Sequence, residues 1–202
     1  IYLQGTTGWP TVPSLWAGRP TALWQSAHDF TYTANISDTN TVTINYYNGT
    51  GGAVTIPPML AFLEDKTVTG IGSNAFQSCA SLTSVTIGDS VTNIGNYAFQ
   101  SCNNLTNVMI GSGVTSIGDY AFQFCTSLSS VIIGSSVTSI GDYAFQSCTG
   151  LTGVTIPNSV NSIGNNVFQF CSGLTSVTLP NSVTTIGNYA FQSCAGLSSV
   201  TI

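Results

Sequence analysis

The chain has 202 residues, 43% of them hydrophobic, a length that suits one elongated domain or a domain with a cap. Only 4% are charged, against roughly 25% in an average soluble domain, so solubility rests on Thr, Ser, Asn and Gly and the surface carries little long-range field. Arg19 and Lys66 are the only Lys or Arg residues and the repeats hold only Asp89, Asp119 and Asp142, which excludes a phosphate backbone or anionic lipid, whose counterions several cations must displace; no apolar run of about 18 residues is present to form a membrane-spanning helix.

In chain order, residues 1–29 form a first predicted unit that holds all three Trp (Trp9, Trp16, Trp24) and three of the seven Pro. The start at Ile1 instead of Met reads as a processed mature protein or a fragment. Residues 30–66 form a second unit. There, 30–36 and 41–47 are rich in Thr, Tyr, Ile and Val, with Ser37-Asp38-Thr39-Asn40 between them, which predicts a β-hairpin. The hairpin is expected to cover the first coil of the repeats after it, because a stack of repeats exposes its core at an end unless something caps it.

Residues 67–202 are six repeats, the last incomplete. Phe recurs every 23 residues at Phe76, Phe99, Phe122, Phe145, Phe168 and Phe191, each followed by Gln, and Cys keeps the same step from Cys79 to Cys194. The unit reads V-T-x-I-G-x-x-A-F-Q-S-C-x-x-L-x-x-V-x-I-(G/P)-x-S, with Val167 where the other repeats have Ala. Val85 and Ile87 alternate with Ser84 and Thr86, a period of two that predicts a short strand with one buried face. Gly88-Asp89-Ser90, and later Pro157-Asn158-Ser159, is turn chemistry that ends it. Ala75, Phe76, Cys79 and Leu82 fall at three- and four-residue steps, which predicts one helical turn laid on the core. The predicted class is an α/β repeat solenoid: a stack of 23-residue coils, a parallel sheet about 24 Å wide on one face, short helical turns on the other, and an N-terminal β-hairpin cap.

The motif I-G-x-x-A-F-x-x-C-x-x-L-x-x-V-x-I, present six times with Val167 and Leu179 as its departures in the fifth, resembles the BspA-like leucine-rich repeats of bacterial and protist surface proteins. The resemblance covers 67–202, and the lead-in Gly51-Gly52-Ala53-Val54-Thr55-Ile56-Pro57 is similar to the segment that commonly precedes such arrays. It implies an extracellular or cell-surface protein working in adhesion or other protein contacts. Parts of 1–24 are similar to a segment that in relatives follows the last repeat and closes the array. Here that segment stands first, while Phe191, Leu197, Val200 and Ile202 fall on a last coil with no closing segment after it. Two readings stay open. Either the chain is cut from a longer one, or Ile1, Tyr2, Leu3 and Trp9 of one copy cap those four residues of the next and build a head-to-tail filament.

No catalytic site is expected. His28 and Asp29 are adjacent and in an extended segment would point to opposite sides; no Ser sits in a G-x-S-x-G turn. With one His and no C-x-x-C pair a zinc site lacks ligands, and no cofactor is implied. The six Cys are read as a buried ladder of free thiols, and the Gln row from Gln77 to Gln192 as a stacked hydrogen-bonded scaffold. Asn96, Asp119, Asp142 and Asn188, each after Gly, are assigned to Asx turns. Sequons at Asn35, Asn48 and Asn104 allow glycan attachment in a host that glycosylates.

Positions that read a ligand should vary between repeats while scaffold positions stay fixed. By that test the middle of the strand is the candidate contact row: Thr86, Met109, Ile132, Thr155, Thr178 and Thr201, with Met109 and Ile132 an apolar spot in a Thr field that reads either as a partner contact or as neutral drift on a tolerant surface. Phe124 and Phe170, replacing Ser beside Cys, form a second candidate patch where exposed. The expected partner is therefore a protein, or further copies of the chain, met without nucleic acid or membrane insertion.

Overall fold

The computed structural model describes residues 29–60 and 66–202. His28 and the expected end-to-end residues Ile1, Tyr2, Leu3 and Trp9 lie outside the described residues.

Each coil carries two strands. The predicted one comes after the Phe and repeats as β6 (Leu82–Ile87), β8 (Asn107–Ile110), β10 (Ser130–Ile132), β12 (Gly153–Thr155), β14 (Ser176–Thr178) and β16 (Ser199–Thr201). A second, two residues long, precedes the Phe of each coil after the first: β7 (Asn93–Ile94), β9 (Ser116–Ile117), β11 (Ser139–Ile140), β13 (Ser162–Ile163) and β15 (Thr185–Ile186). Wherever neighbouring strands of a set pair they do so in parallel at a constant 23-residue offset, as in Val85↔Val108 and Ile94↔Ile117. Two residues are too few to declare a period, so the sequence does not announce this second ladder.

The segment between the two strands is where the sequence expectation fails. No α-helix forms among the described residues. Tyr120 and Phe124 take φ of 58° and 60°, as do their equivalents in every coil, and a left-handed residue every fourth position forbids a right-handed helical turn. The amides divide into two sets. Those of Tyr120, Phe122 and Phe124 donate to the carbonyls of Asp142, Ala144 and Gln146 in the next coil, at 2.8–2.9 Å, whereas Gln123 and Cys125 donate three residues back to Tyr120 and Phe122. The three- and four-residue spacing of Ala, Phe, Cys and Leu thus comes from a chain of tight turns whose alternate N–H groups bond outward. The architecture is a parallel β-solenoid without the predicted helical face.

Constant offset puts equal side chains above one another. Phe76, Phe99, Phe122, Phe145 and Phe168 are fully buried, and the six rings stack at 4.7–5.5 Å, within the favoured range for aromatic pairs. At the N-terminal end β1 (Phe30–Ala34) and β2 (Thr41–Tyr47) form an antiparallel hairpin. Strand β2 joins the short-strand ladder through β5 (Lys66–Ile71), which also pairs antiparallel with β4 (Met59–Leu60). Strand β3 (Gly52–Ile56) joins the longer ladder through β6. Tyr47 stacks on Phe76 at 5.0 Å and Phe30 meets it edge-on at 6.2 Å, so the first ring of the column is covered.

The thiols have a specific place in this core. Cys102, Cys125, Cys148, Cys171 and Cys194 each donate to the carbonyl oxygen of the Phe one coil earlier, 3.0–3.2 Å away. That oxygen already accepts the amide of its own coil's Cys, so the thiol satisfies its second lone pair. All six are free. Burial raises Cys79 to about 11 and Cys171 to about 12, and pushes Cys148 and Cys194 up. Cys102 is pushed up as well, first by the adjacent thiol of Cys125 and then by burial.

A raised folded pKa fixes the sign of the alkaline response. Above the ordinary thiol value of 9.0 the unfolded chain releases protons that the native state retains, so stability is full below pH 9.0 and falls as pH climbs towards about 12. The slope for Cys171 is roughly 1.4 kcal/mol per pH unit. Denaturation midpoints between about pH 8 and about pH 11 should decline in the natural chain and decline less steeply in Cys171→Ala.

Candidate functional site

Coil stacking requires close backbone approach, and at one step that approach is lost. A Cβ at Gly134 would run into the Gly111 carbonyl oxygen, and one at Gly111 would lie 2.7 Å from the Ile87 oxygen. The equivalent place is Pro157 in the fourth coil and Pro180 in the fifth; the step at which the bulkier Pro ring first succeeds Gly, Gly134 to Pro157, is the open one, whereas Pro157 to Pro180 stays paired. The longer-strand ladder is interrupted at that step: β3, β6, β8 and β10 form one sheet, β12, β14 and β16 another. Thr106, Ser129, Thr175 and Ser198 donate their amides to the preceding coil; among the described residues the equivalent bond from Thr152 to Ser129 is not made. The short-strand ladder runs through unbroken, β9 to β11 to β13, so the stack is pried open on one side only.

A shallow cleft of about 350 Å³ lies over the break, lined by residues that include Val131, Ile132, Ile133, Gly153, Thr155 and Pro157. Gly153 contributes no side chain to fill it. Val131 and Ile133 each keep 8% of their surface exposed, against 2% at Val108 and Ile110 in the intact ladder. Ile132 stands at the rim, 57% exposed, and Met109 beside it is 49% exposed. They are directly paired across β8 and β10, as are Thr86 and Met109 across β6 and β8 and Thr155 and Thr178 across β12 and β14. Thr178 pairs in turn with Thr201 across β14 and β16, so all six sheet-face residues lie in one uncharged row, with the cleft between Ile132 and Thr155. The Gly-to-Pro change is legible in the sequence as a turn variant, and its consequence for stacking is not.

Of the C-terminal set, Phe191 and Leu197 are partly buried against the core, while Val200 and Ile202 are exposed. The Gln residues form an unbroken side-chain chain, each amide donating to the next Gln carbonyl from Gln77 to Gln192. The Asx row differs from expectation. Asn96, Asp119, Asp142 and Asn165 each accept, through Oδ1, the amide of the equivalent residue one coil on, at 2.7–2.9 Å, so they bridge coils instead of closing their own turns. Asp89 accepts both the amide and the hydroxyl of Ser112, which holds its carboxyl below the usual range. Asn35 donates its side-chain nitrogen to Thr41 and Thr69, and Asn104 donates to the Ala80 carbonyl; a glycan on Asn35 would remove one of its two donor hydrogens and so one of those bonds. Among the described residues no three His, Cys, Asp or Glu converge to hold a metal, and no helix is long and apolar enough to cross a membrane.

Residues 69–198 match the model of the BspA type leucine-rich repeat region in six copies. Among solved structures, a leucine-rich repeat protein of T. pallidum is similar at 32% identity and TM-score 0.83, over 87% of this chain and 80% of that one. A leucine-rich cell surface protein of Faecalibacterium prausnitzii matches at 32% identity and TM-score 0.68, over 91% of this chain and 55% of its own. A leucine-rich repeat protein of Bacteroides ovatus matches at 28% and 0.65, over 86% and 52%. The chain thus spans about half the length of the latter two. No curated protein matches it.

Replacing Pro157 by Gly should let the fourth coil settle onto the third. Amide hydrogen exchange at Thr152 is then expected to slow by roughly tenfold or more, the worth of about one hydrogen bond; an unchanged rate would separate the break from the proline.

Proposed function

Since the chain belongs to the BspA-type leucine-rich-repeat family, we propose that it is a non-catalytic extracellular scaffold that acts through protein–protein contacts at a cell surface, and that its docking surface is the sheet-face row with the cleft at its centre. The observation that carries this reading is the coincidence of three features at one place: the ladder break, the partly uncovered core at Val131 and Ile133, and the exposed aliphatic pair Met109 and Ile132. The cell-surface placement follows the F. prausnitzii relative.

Chemistry narrows the partner. The row holds Thr, Met and Ile, flanked by Ser, Asn and Gly, with no charge, so electrostatic steering contributes little and binding should vary weakly with salt. An uncharged protein surface with one protruding aliphatic side chain fits: the side chain enters the cleft beside Ile132, and Thr hydroxyls hydrogen-bond around it. Central apolar anchors with a polar rim are the usual anatomy of such contacts.

Adherence of protein-coated beads to host cells or matrix tests this. Met109→Thr together with Ile132→Thr should weaken binding by about 2 kcal/mol, roughly thirtyfold, and Ile202→Asp should leave it intact. The reverse pattern would transfer the function to end-to-end stacking through the sixth coil.

A further inference from the structure

On the turn face, one slot departs from the repeat in a way the sheet-face reading does not use. The residue before each Cys is Ser in four coils, but Phe124 and Phe170 in the third and fifth. Both take left-handed backbone, φ 60° and 61°, a conformation that bulky residues rarely adopt. Both rings are also substantially exposed, 43% and 47%. Two unfavourable features coincide at each position, and Ser meets the same backbone demand in the other four coils.

The two rings are separated by a single coil. Phe124 donates its amide to Gln146, the residue before Ser147, and Ser147 donates to Gln169, the residue before Phe170. The three positions are therefore consecutive rungs, and Phe124 and Phe170 sit about 10 Å apart, twice the strand spacing of ~4.8 Å. In these same coils the molecule's own rings stack one per rung: Tyr120 on Tyr143 at 4.7 Å, Phe122 on Phe145 at 5.2 Å and Phe145 on Phe168 at 5.5 Å, all within 6° of parallel. In the outer column the middle rung carries only the small Ser147.

We propose that Phe124 and Phe170 form a clamp across Ser147 that takes one flat aromatic side chain of a partner protein. A ring placed over Ser147 would lie about 5 Å from each Phe, inside the 4.5–7 Å range that aromatic pairs favour, and would continue the column at the repeat's own spacing. The neighbouring polar groups do not compete for a sugar, because the Gln side chains beside the slot already bond to one another along the row. The clamp is on a different side of the coil from the cleft, so it adds a second contact.

N-acetyl-tryptophanamide titrated into the labelled protein, followed by NMR, is the direct probe. Saturable ring-current shifts at Phe124, Ser147 and Phe170 are expected, with indole contacts to both rings. Phe124→Ser or Phe170→Ser should each weaken binding roughly two- to tenfold; Ser is native to this slot in other coils, so both should fold. Ser147→Phe should fill the rung and abolish the shifts. Equal shifts from N-acetyl-leucinamide, binding that survives both Phe→Ser changes, or a response to methyl glucoside without one to the indole would each overturn the clamp.

Discussion

Everything in this molecule hangs on alternate turn-face amides bonding to the next coil instead of back along their own. An α-helical turn closes its hydrogen bonds within itself and could be set down on a neighbour at many heights. Tyr120, Phe122 and Phe124 instead reach Asp142, Ala144 and Gln146, and the two strand ladders do the same on the other sides. Each such bond is worth only about 1 kcal/mol net, but leaving a buried amide without one costs about 1–3. Register is therefore fixed rung by rung, and side chains fall into columns of like residues: Phe in the core, thiols against Phe carbonyls, Gln amides and Asn or Asp oxygens outside.

The same constraint explains where function can lie. A ladder that tolerates no Cβ between Gly134 and Gly111 opens at the step where Pro157 succeeds Gly134, and the opening falls beside the only two apolar residues of the sheet-face row. A rigid periodic scaffold turns a local exception into a defined site, because its neighbours cannot relax to hide it. The proposed contacts are accordingly departures from the repeat: Met109, Ile132, Gly153 and Pro157 on the sheet, Phe124 and Phe170 on the turns.

The period, the buried columns, the longer strand and the Gln row are all legible in the sequence, since each is a residue type returning at a fixed step. The turn segment reads as helical because Ala75, Phe76, Cys79 and Leu82 have spacing that either structure satisfies. The discriminating signal is backbone sign, and here it is carried by Asn, Tyr, Ser and Phe rather than Gly, so composition gives no warning. The Asx row reads as local turns for a related reason: a side chain that bonds its own backbone and one that bonds the next coil look identical in a single repeat. Pro157 is visible, but its effect depends on how closely two carbonyl-bearing turns approach, which is a property of the stack.

Scalar coupling across hydrogen bonds, measured by NMR on isotope-labelled protein, addresses the central claim most directly. The amide nitrogen of Phe122 should couple to the carbonyl carbon of Ala144, its 2.8 Å acceptor in the next coil. Coupling from Phe122 to Gly118, four residues back as in a helix, would contradict the interlocked stack and everything built on it.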